Sequence, residues 1–245
     1  MKWEVAITTA PRRNCTLKQC IESVRTCGWE PTVFAEPNST PTDCLTIQNC
    51  KQLGIWRNWV QSVKWILETK ADVFLTIQDD TLFHPDSKDF VESIMWPATN
   101  CGFISLYTPK HYTIRRDKTI RSVGVNKIVT KSLWGACALV WSREVLEKVI
   151  KHPLIETWAG ATPRSGNKEV IQKRRDNPHT IANSDTAIGK IMNRMKYSMW
   201  FVDPSPVQHI SQFSTIAHGD NTGRRNAYRI ADHSIPLSYQ VKPCS

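Results

Sequence analysis

Two neighbouring aspartates, Asp79 and Asp80, end the apolar run Val73-Phe74-Leu75-Thr76-Ile77. Adjacent carboxylates at the mouth of a buried strand repel one another and are costly to desolvate, so they call for a positive partner. A hard divalent cation carrying phosphate oxygens would serve, with Mg²⁺ or Mn²⁺ as the fitting ions. The same residues also suit a plain turn, for Asp-Asp-Thr is ordinary turn chemistry. Two other segments follow runs of strand character: Thr8-Thr9-Ala10-Pro11-Arg12-Arg13 and Glu36-Pro37-Asn38. Open α/β sheets bind ligands outside the carboxyl ends of their strands, which makes the three segments one candidate set. Asp185 opens a helix candidate, as either a general base or a first-turn carboxylate favoured by the helix dipole. His209 is either a metal ligand or a core histidine on a late strand, and His218 in AHGDNTGRRN is the alternative ligand.

The elements that must position these groups alternate between strands and helices over the first 110 residues, which predicts a mostly parallel sheet covered by helices. Trp3 to Thr9 and Thr32 to Ala35 read as strands. Thr16-Leu17-Lys18-Gln19 reads as a capping box opening a helix whose apolar face is Leu17, Cys20, Ile21 and Val24. Residues 38 to 53 read as a loop. In the next segment Trp56, Trp59, Val60, Val63, Ile66 and Leu67 recur at helical spacing, giving one strongly apolar face. Gly102 to Tyr107, Gly135 to Trp141 and Ser198 to Val202 read as strands; Ser142 to Lys151 and Ser184 to Met195 read as helices.

In that order along the chain, four motifs resemble those of GT-A-fold glycosyltransferases. FLTIQDDTLF, preceded by GIWRNWVQSVKWILETKADV, resembles the metal-binding motif. WGACALVWSRE resembles the acceptor-side strand and helix, NSDTAIGKIMNR the helix bearing the catalytic carboxylate, and PSPVQHIS the late strand with a metal-binding histidine. The resemblance implies a single α/β domain with a Rossmann-like, mostly parallel sheet flanked by helices and a mixed acceptor-side half. It implies a donor half over residues 1–109 and an acceptor and catalytic half over 110–245. Carried over residue by residue, it makes Asp80 and His209 metal ligands and Asp79 an assistant to the metal or the donor sugar. Thr8, Thr9, Ala10, Arg12, Glu36 and Asn58 would line the nucleotide sugar, and Asp185 would be the base of an inverting displacement. Gln78 stands where the family often has an acidic residue. Trp134 and Trp158 flank the implied acceptor cleft beside Gly135 and are either stacking platforms or core residues, whereas Trp56, Trp59 and Trp65 read as core.

Composition bears on the acceptor. The 245 residues carry 32 Lys and Arg against 22 Asp and Glu, a formal +10, with 40% hydrophobic residues. That much apolar content excludes a disordered tail, and a chain of this length buries a large core without disulfides. The eight cysteines include no C-x-x-C pair and read as buried free thiols. No apolar stretch reaches the roughly 18 to 20 residues of a membrane span, so the expectation is an anchorless cytoplasmic protein. Residues 110–131 contribute +6 and residues 163–175 contribute +4, which accounts for the whole excess. Their Arg115, Arg116, Arg174 and Arg175 suit phosphate contacts. A small, basic, anchorless enzyme of this kind resembles the phage-type glycosyltransferases of hydroxymethylpyrimidines in DNA, whose target base must be flipped from the duplex. The alternatives are a glycosyltransferase of cell-surface or protein glycans and a non-catalytic nucleic-acid-binding protein on the same scaffold.

Overall fold

The computed structural model describes residues 1–12, 14–113, 123–129, 132–159, 182–210, 227 and 230–240. It is a single α/β domain. The first strand, β1 (Trp3–Thr9), has its Val5 and Ile7 in one core and Ala6 in the other, as expected of a strand covered on both faces. Helix α1 (Leu17–Thr26) covers the first face through Leu17, Cys20, Ile21 and Val24. Strands β2 (Pro31–Ala35) and β3 (Thr46–Gln48) extend the sheet outward in parallel. Helix α2 (Gly54–Leu67) then crosses to the opposite face, where Trp56 stacks on Trp59 at 5.1 Å between ring centroids. Strand β4 (Val73–Gln78) returns beside β1, also in parallel.

Beyond β4 come β5 (Thr81–Phe83), α3 (Ser87–Ile94), β6 (Cys101–Ser105), α4 (Lys110–Thr113), β7 (Gly124–Lys127) and β8 (Ala138–Ser142). Helix α5 (Arg143–Ile150) starts at Ser142, whose hydroxyl accepts from the Val145 N–H as expected of an N-cap. The remaining elements are α6 (Leu154–Thr157), α7 (Ser184–Met195), β9 (Ser198–Asp203), β10 (Val207–His209) and α8 (Leu237–Gln240). The main sheet runs β3-β2-β1-β4-β8-β6-β9-β7. Strand β8 lies antiparallel between β4 and β6, and β7 is antiparallel to β9, so six of the eight strands share one direction. Strands β5 and β10 form a separate antiparallel pair.

Several local expectations are corrected. The region 38–53 contains β3, a strand of three residues. The capping box at Thr16 does not form: its backbone is helical (φ −106°, ψ −9°) and its buried hydroxyl has no hydrogen-bond partner. Residues 135–137 precede β8 as a turn rather than forming its start, with Gly135 at φ +73°. Of the segment 110–131, α4 and β7 are regular. The described cysteines are free thiols, buried except Cys15 and Cys50. Among the described residues no helix is long and apolar enough to cross a membrane.

Candidate functional site

Strands β2 and β4 leave β1 on opposite sides, and their covering helices α1 and α2 lie on opposite faces, which makes the carboxyl ends of β1 and β4 a topological switch point. Register aligns those ends, with Thr8 opposite Gln78 and Thr9 opposite Ala35. Antiparallel β8 starts where β4 ends, Ala138 facing Ile77, so the turn before it reaches the same edge. The β5–β10 pair sets His209 opposite Thr81, and the Ile210 N–H donates to the Asp80 carbonyl at 2.8 Å. Four sequence-distant segments thereby meet at one place.

At that place Asp79 and Asp80 are buried, at 2% and 3% exposure. The Thr9 hydroxyl donates to Asp79 Oδ2 at 2.5 Å, and Arg12 Nη2 donates to Asp79 Oδ1 at 2.5 Å. Arg12 also reaches Asp80 Oδ2 through Nη1 at 3.0 Å, and His209 Nε2 lies 3.1 Å from the same oxygen. Burial pushes the Asp79 carboxyl up, opposed by Arg12 and reinforced by the charge of Asp80. Burial acts on Asp80 in the same sense, but the His209 hydrogen bond and the Arg12 charge outweigh it and hold its carboxyl down at about 2. Asp79 and Asp80 thus share the Arg12 guanidinium, a buried pair of carboxyl groups that favours a further cation.

The residues present fit a divalent ion. Asp80 Oδ1 and His209 Nδ1 are buried without a hydrogen-bond partner among the described residues. The 3.1 Å between Asp80 Oδ2 and His209 Nε2 is an ordinary hydrogen bond, and also matches adjacent ligands about 3 Å apart on an octahedral ion with bonds near 2.1 Å. No group of three or more His, Cys, Asp or Glu side chains poised for a metal occurs among the described residues. Mg²⁺-type sites need no such cage, since one or two protein ligands are completed by water and substrate phosphates.

Of the other residues expected at the nucleotide, Thr8 bonds through its hydroxyl to the Ile77 carbonyl at 3.2 Å, and Ala10 is half-buried at the same edge. Glu36 and Asn58 are engaged otherwise. Both Glu36 oxygens accept backbone N–H groups at the start of α2, from Leu53 at 2.8 Å and Gly54 at 2.7 Å, which caps a helix whose own N-cap residue offers no side-chain bond. Asn58 donates to the Phe34 carbonyl at 2.9 Å and accepts from Asn49 at 3.1 Å, fixing the end of β2. These two side chains hold the backbone that frames the crevice.

On the acceptor side, Asp185 lies in the first turn of α7, half-buried. Its Oδ1 accepts from the Thr186 N–H at 2.7 Å, and the Gly135 N–H points at Oδ2 from 3.5 Å. Gly189, one turn along the same helix face, lets that face approach closely: a Cβ there would meet the Leu133 nitrogen at 2.9 Å. Gly135 in turn lies against Tyr107, where a Cβ would come within 2.8 Å of the ring, and the Tyr107 ring is 6.2 Å from that of His209. A continuous path of contacts therefore joins His209 to Asp185. Sequence reading omitted Tyr107 and Gly189, although the four-residue spacing of Asp185 and Gly189 on a helix was available to it.

Trp134 is exposed at 44%, its backbone held by the Tyr112 hydroxyl, which accepts from its N–H at 2.8 Å and donates to its carbonyl at 3.0 Å. Trp158 is buried. Its indole N–H donates to the Asn183 carbonyl at 3.2 Å and Lys190 covers its ring at 4.5 Å, so it braces the start of the helix that carries Asp185 and offers no open face. Arg115, Arg116, Arg174, Arg175 and His218 lie outside the described residues.

No protein-family model matches the chain, and no curated protein matches it. Among solved structures, A197 from STIV is similar over 95% of this chain and 97% of that one, at 13% identity and a TM-score of 0.44. HddC from Yersinia pseudotuberculosis is similar over 62% of this chain and 80% of its own, at 16% identity and a TM-score of 0.39, or 15% and 0.37 in its complex with GMP-PN. Likenesses of that size carry no conclusion about chemistry, which has to come from the side chains themselves.

Proposed function

We propose that the protein is a metal-dependent glycosyltransferase that moves a sugar from a nucleotide-sugar donor to a hydroxyl group, with inversion. The observation that carries this reading is the buried Asp79, Asp80, Arg12 and His209 group at the switch point, with two carboxyl groups on one guanidinium and Asp80 Oδ1 without a hydrogen-bond partner among the described residues. Asp80 and His209 would hold Mn²⁺ or Mg²⁺, which when bound stabilises the charge on a departing nucleoside diphosphate. Thr9 fixes the Asp79 carboxylate, and Glu36 and Asn58 keep the strand ends in place around the nucleotide. Asp185 takes the proton of the acceptor hydroxyl as the new bond to the sugar forms and the bond to the diphosphate breaks. Its bonds to Thr186 and Gly135 orient the carboxylate while leaving it half-buried, within reach of an incoming group.

The proposed acceptor is a 5-hydroxymethylpyrimidine in DNA. The whole +10 excess falls in residues 110–131 and 163–175, which border α7 and the Gly135 turn in sequence, and Trp134 presents an exposed ring beside that turn for a flipped base or a sugar. Incubating the protein with Mn²⁺, hydroxymethylated DNA and a panel of sugar nucleotides, then weighing the digested nucleosides, tests this. A pentose or hexose increment on the hydroxymethylpyrimidine is expected. Transfer to glycans but not DNA would move the acceptor to a cell-surface or protein glycan. Salt-sensitive DNA binding without turnover of any donor would leave only a nucleic-acid-binding scaffold.

A further inference from the structure

We infer that Arg12 is a displaceable counter-cation: it holds the Asp79–Asp80 pair while the donor is absent, and moves to the diphosphate when nucleotide and divalent ion enter together. The inference rests on the metal site proposed above and adds to it an order of binding. Arg12 contacts the two carboxylates through different nitrogens, Nη2 to Asp79 and Nη1 to Asp80, and so covers Asp80 Oδ2, the oxygen that also faces His209. A cation already occupies one of the two Asp80 oxygens offered to the divalent ion. Like charges a few ångströms apart in a buried pocket repel strongly. The ion on its own would thus meet both a competitor and a repulsion.

The geometry also provides the exit. The carboxylates are nearly inaccessible, whereas the Arg12 side chain keeps 13% of its surface exposed and belongs to the segment that follows β1, not to the strand itself. Its guanidinium can exchange one anionic partner for another. It can stay on the aspartates, or it can turn to a diphosphate placed over the same strand ends, for which its planar fork is well matched. Only the second leaves the aspartates to the metal. Nucleotide and metal should then each raise the affinity of the other, by the same factor in both directions.

The test is Mn²⁺ binding to the full-length protein, followed by the electron paramagnetic resonance signal of free Mn²⁺, with and without UDP or GDP. Wild type, Arg12→Met, Arg12→Lys and Asp80→Ala are compared, with circular dichroism to verify folding. Wild type should bind Mn²⁺ alone weakly and about 10-fold or more tightly with the matching nucleotide. Arg12→Met should bind Mn²⁺ alone about 10-fold or more tightly than wild type and gain much less from the nucleotide. Arg12→Lys, whose single ammonium cannot span both carboxylates in the same way, should fall between them and serves if the Met variant does not fold. Asp80→Ala should abolish the site in every case. Arginine variants that bind Mn²⁺ alone no better than wild type would overturn the inference while leaving the metal site standing. Absence of Mn²⁺ binding in all proteins, with or without either nucleotide, would instead remove the metal reading and this inference with it.

Discussion

The protein carries two carboxylate stations that solve opposite electrostatic problems. Asp79 and Asp80 lie side by side, buried, and are held by one guanidinium, one imidazole and one hydroxyl. Asp185 lies in the first turn of a helix, half-buried, where it accepts from the Thr186 N–H and has the Gly135 N–H aimed at its other oxygen. The first arrangement sets two buried carboxyl groups on one guanidinium, which on the proposed reading suits holding a metal and a nucleotide. The second places its carboxylate against the N–H dipoles at a helix start, where a carboxylate is favoured. On the proposed reading charge-holding and proton-taking are separated in space, and the contacts through Tyr107 and Gly135 link the two.

Removing the charge at the first station should have the largest effect on function and a small one on folding. Asp80→Ala takes away one of two adjacent buried carboxyl groups and leaves Arg12 paired with Asp79. Mn²⁺-dependent turnover of the sugar nucleotide should fall by about 10³-fold or more, the several kcal/mol that metal stabilisation of a leaving diphosphate supplies. The melting temperature should stay the same or rise. Unchanged turnover would mean that the pair holds structure together and nothing else.

Asp185→Asn is the matching change at the second station. Asparagine keeps an oxygen for the Thr186 N–H, so the start of α7 should survive. Transfer to the acceptor should drop by about 10² to 10⁴-fold, the range for a lost general base. Donor affinity, measured by calorimetry with Mn²⁺ present, should not move. A loss of donor affinity would join the two stations into one donor site and end the division of labour.

The link between them can be strained without touching either carboxylate. Gly135 has φ +73°, and an added Cβ would meet the Tyr107 ring at 2.8 Å. Gly135→Ala should destabilise the fold by about 1–3 kcal/mol through overpacking, with about 1–2 kcal/mol more for the left-handed backbone. Transfer should fall while donor binding persists, because the turn faces Asp185 and the Asp79–Asp80 group is fixed from β1 and β10. Thermal melts alongside both binding and transfer assays would separate these effects.

The ease of reading these features from the sequence follows the range of the interaction that creates them. Strands β1 and β4 and helices α2 and α7 are legible because local pattern determines them: short apolar runs, tryptophans at helical spacing, and a carboxylate in a first helical turn. Asp79, Asp80 and the ends of the strands are legible as candidates through the strand-end rule of open sheets. The bond between Arg12 and Asp79 spans 67 residues and has no local signature. Strand β3 is three residues of mixed polarity, too short for any alternation to stand out. The Thr16 capping box illustrates the reverse case, a local motif that does not form: the Thr16 backbone is helical and its hydroxyl is buried without bonding the helix end.

Glu36 is where the strand-end rule and the structure diverge, and its replacement sets the border of the first station with the smallest expected effect. The residue sits at the end of β2 among the segments that ought to meet a nucleotide, yet its oxygens accept the backbone N–H groups of Leu53 and Gly54. Glu36→Ala leaves those donors at the head of α2 without their acceptor, which should cost about 1–3 kcal/mol. For a domain of this size the melting temperature should then fall by about 2–4 °C for each kcal/mol. Well below that temperature the folded variant should bind Mn²⁺ and donor as wild type does, because α2 reaches the crevice only through the strand ends it supports. A donor affinity that drops while the melting temperature holds would place Glu36 on the nucleotide. The station that handles charge would then extend from the Asp79–Asp80 pair to the outer edge of the crevice.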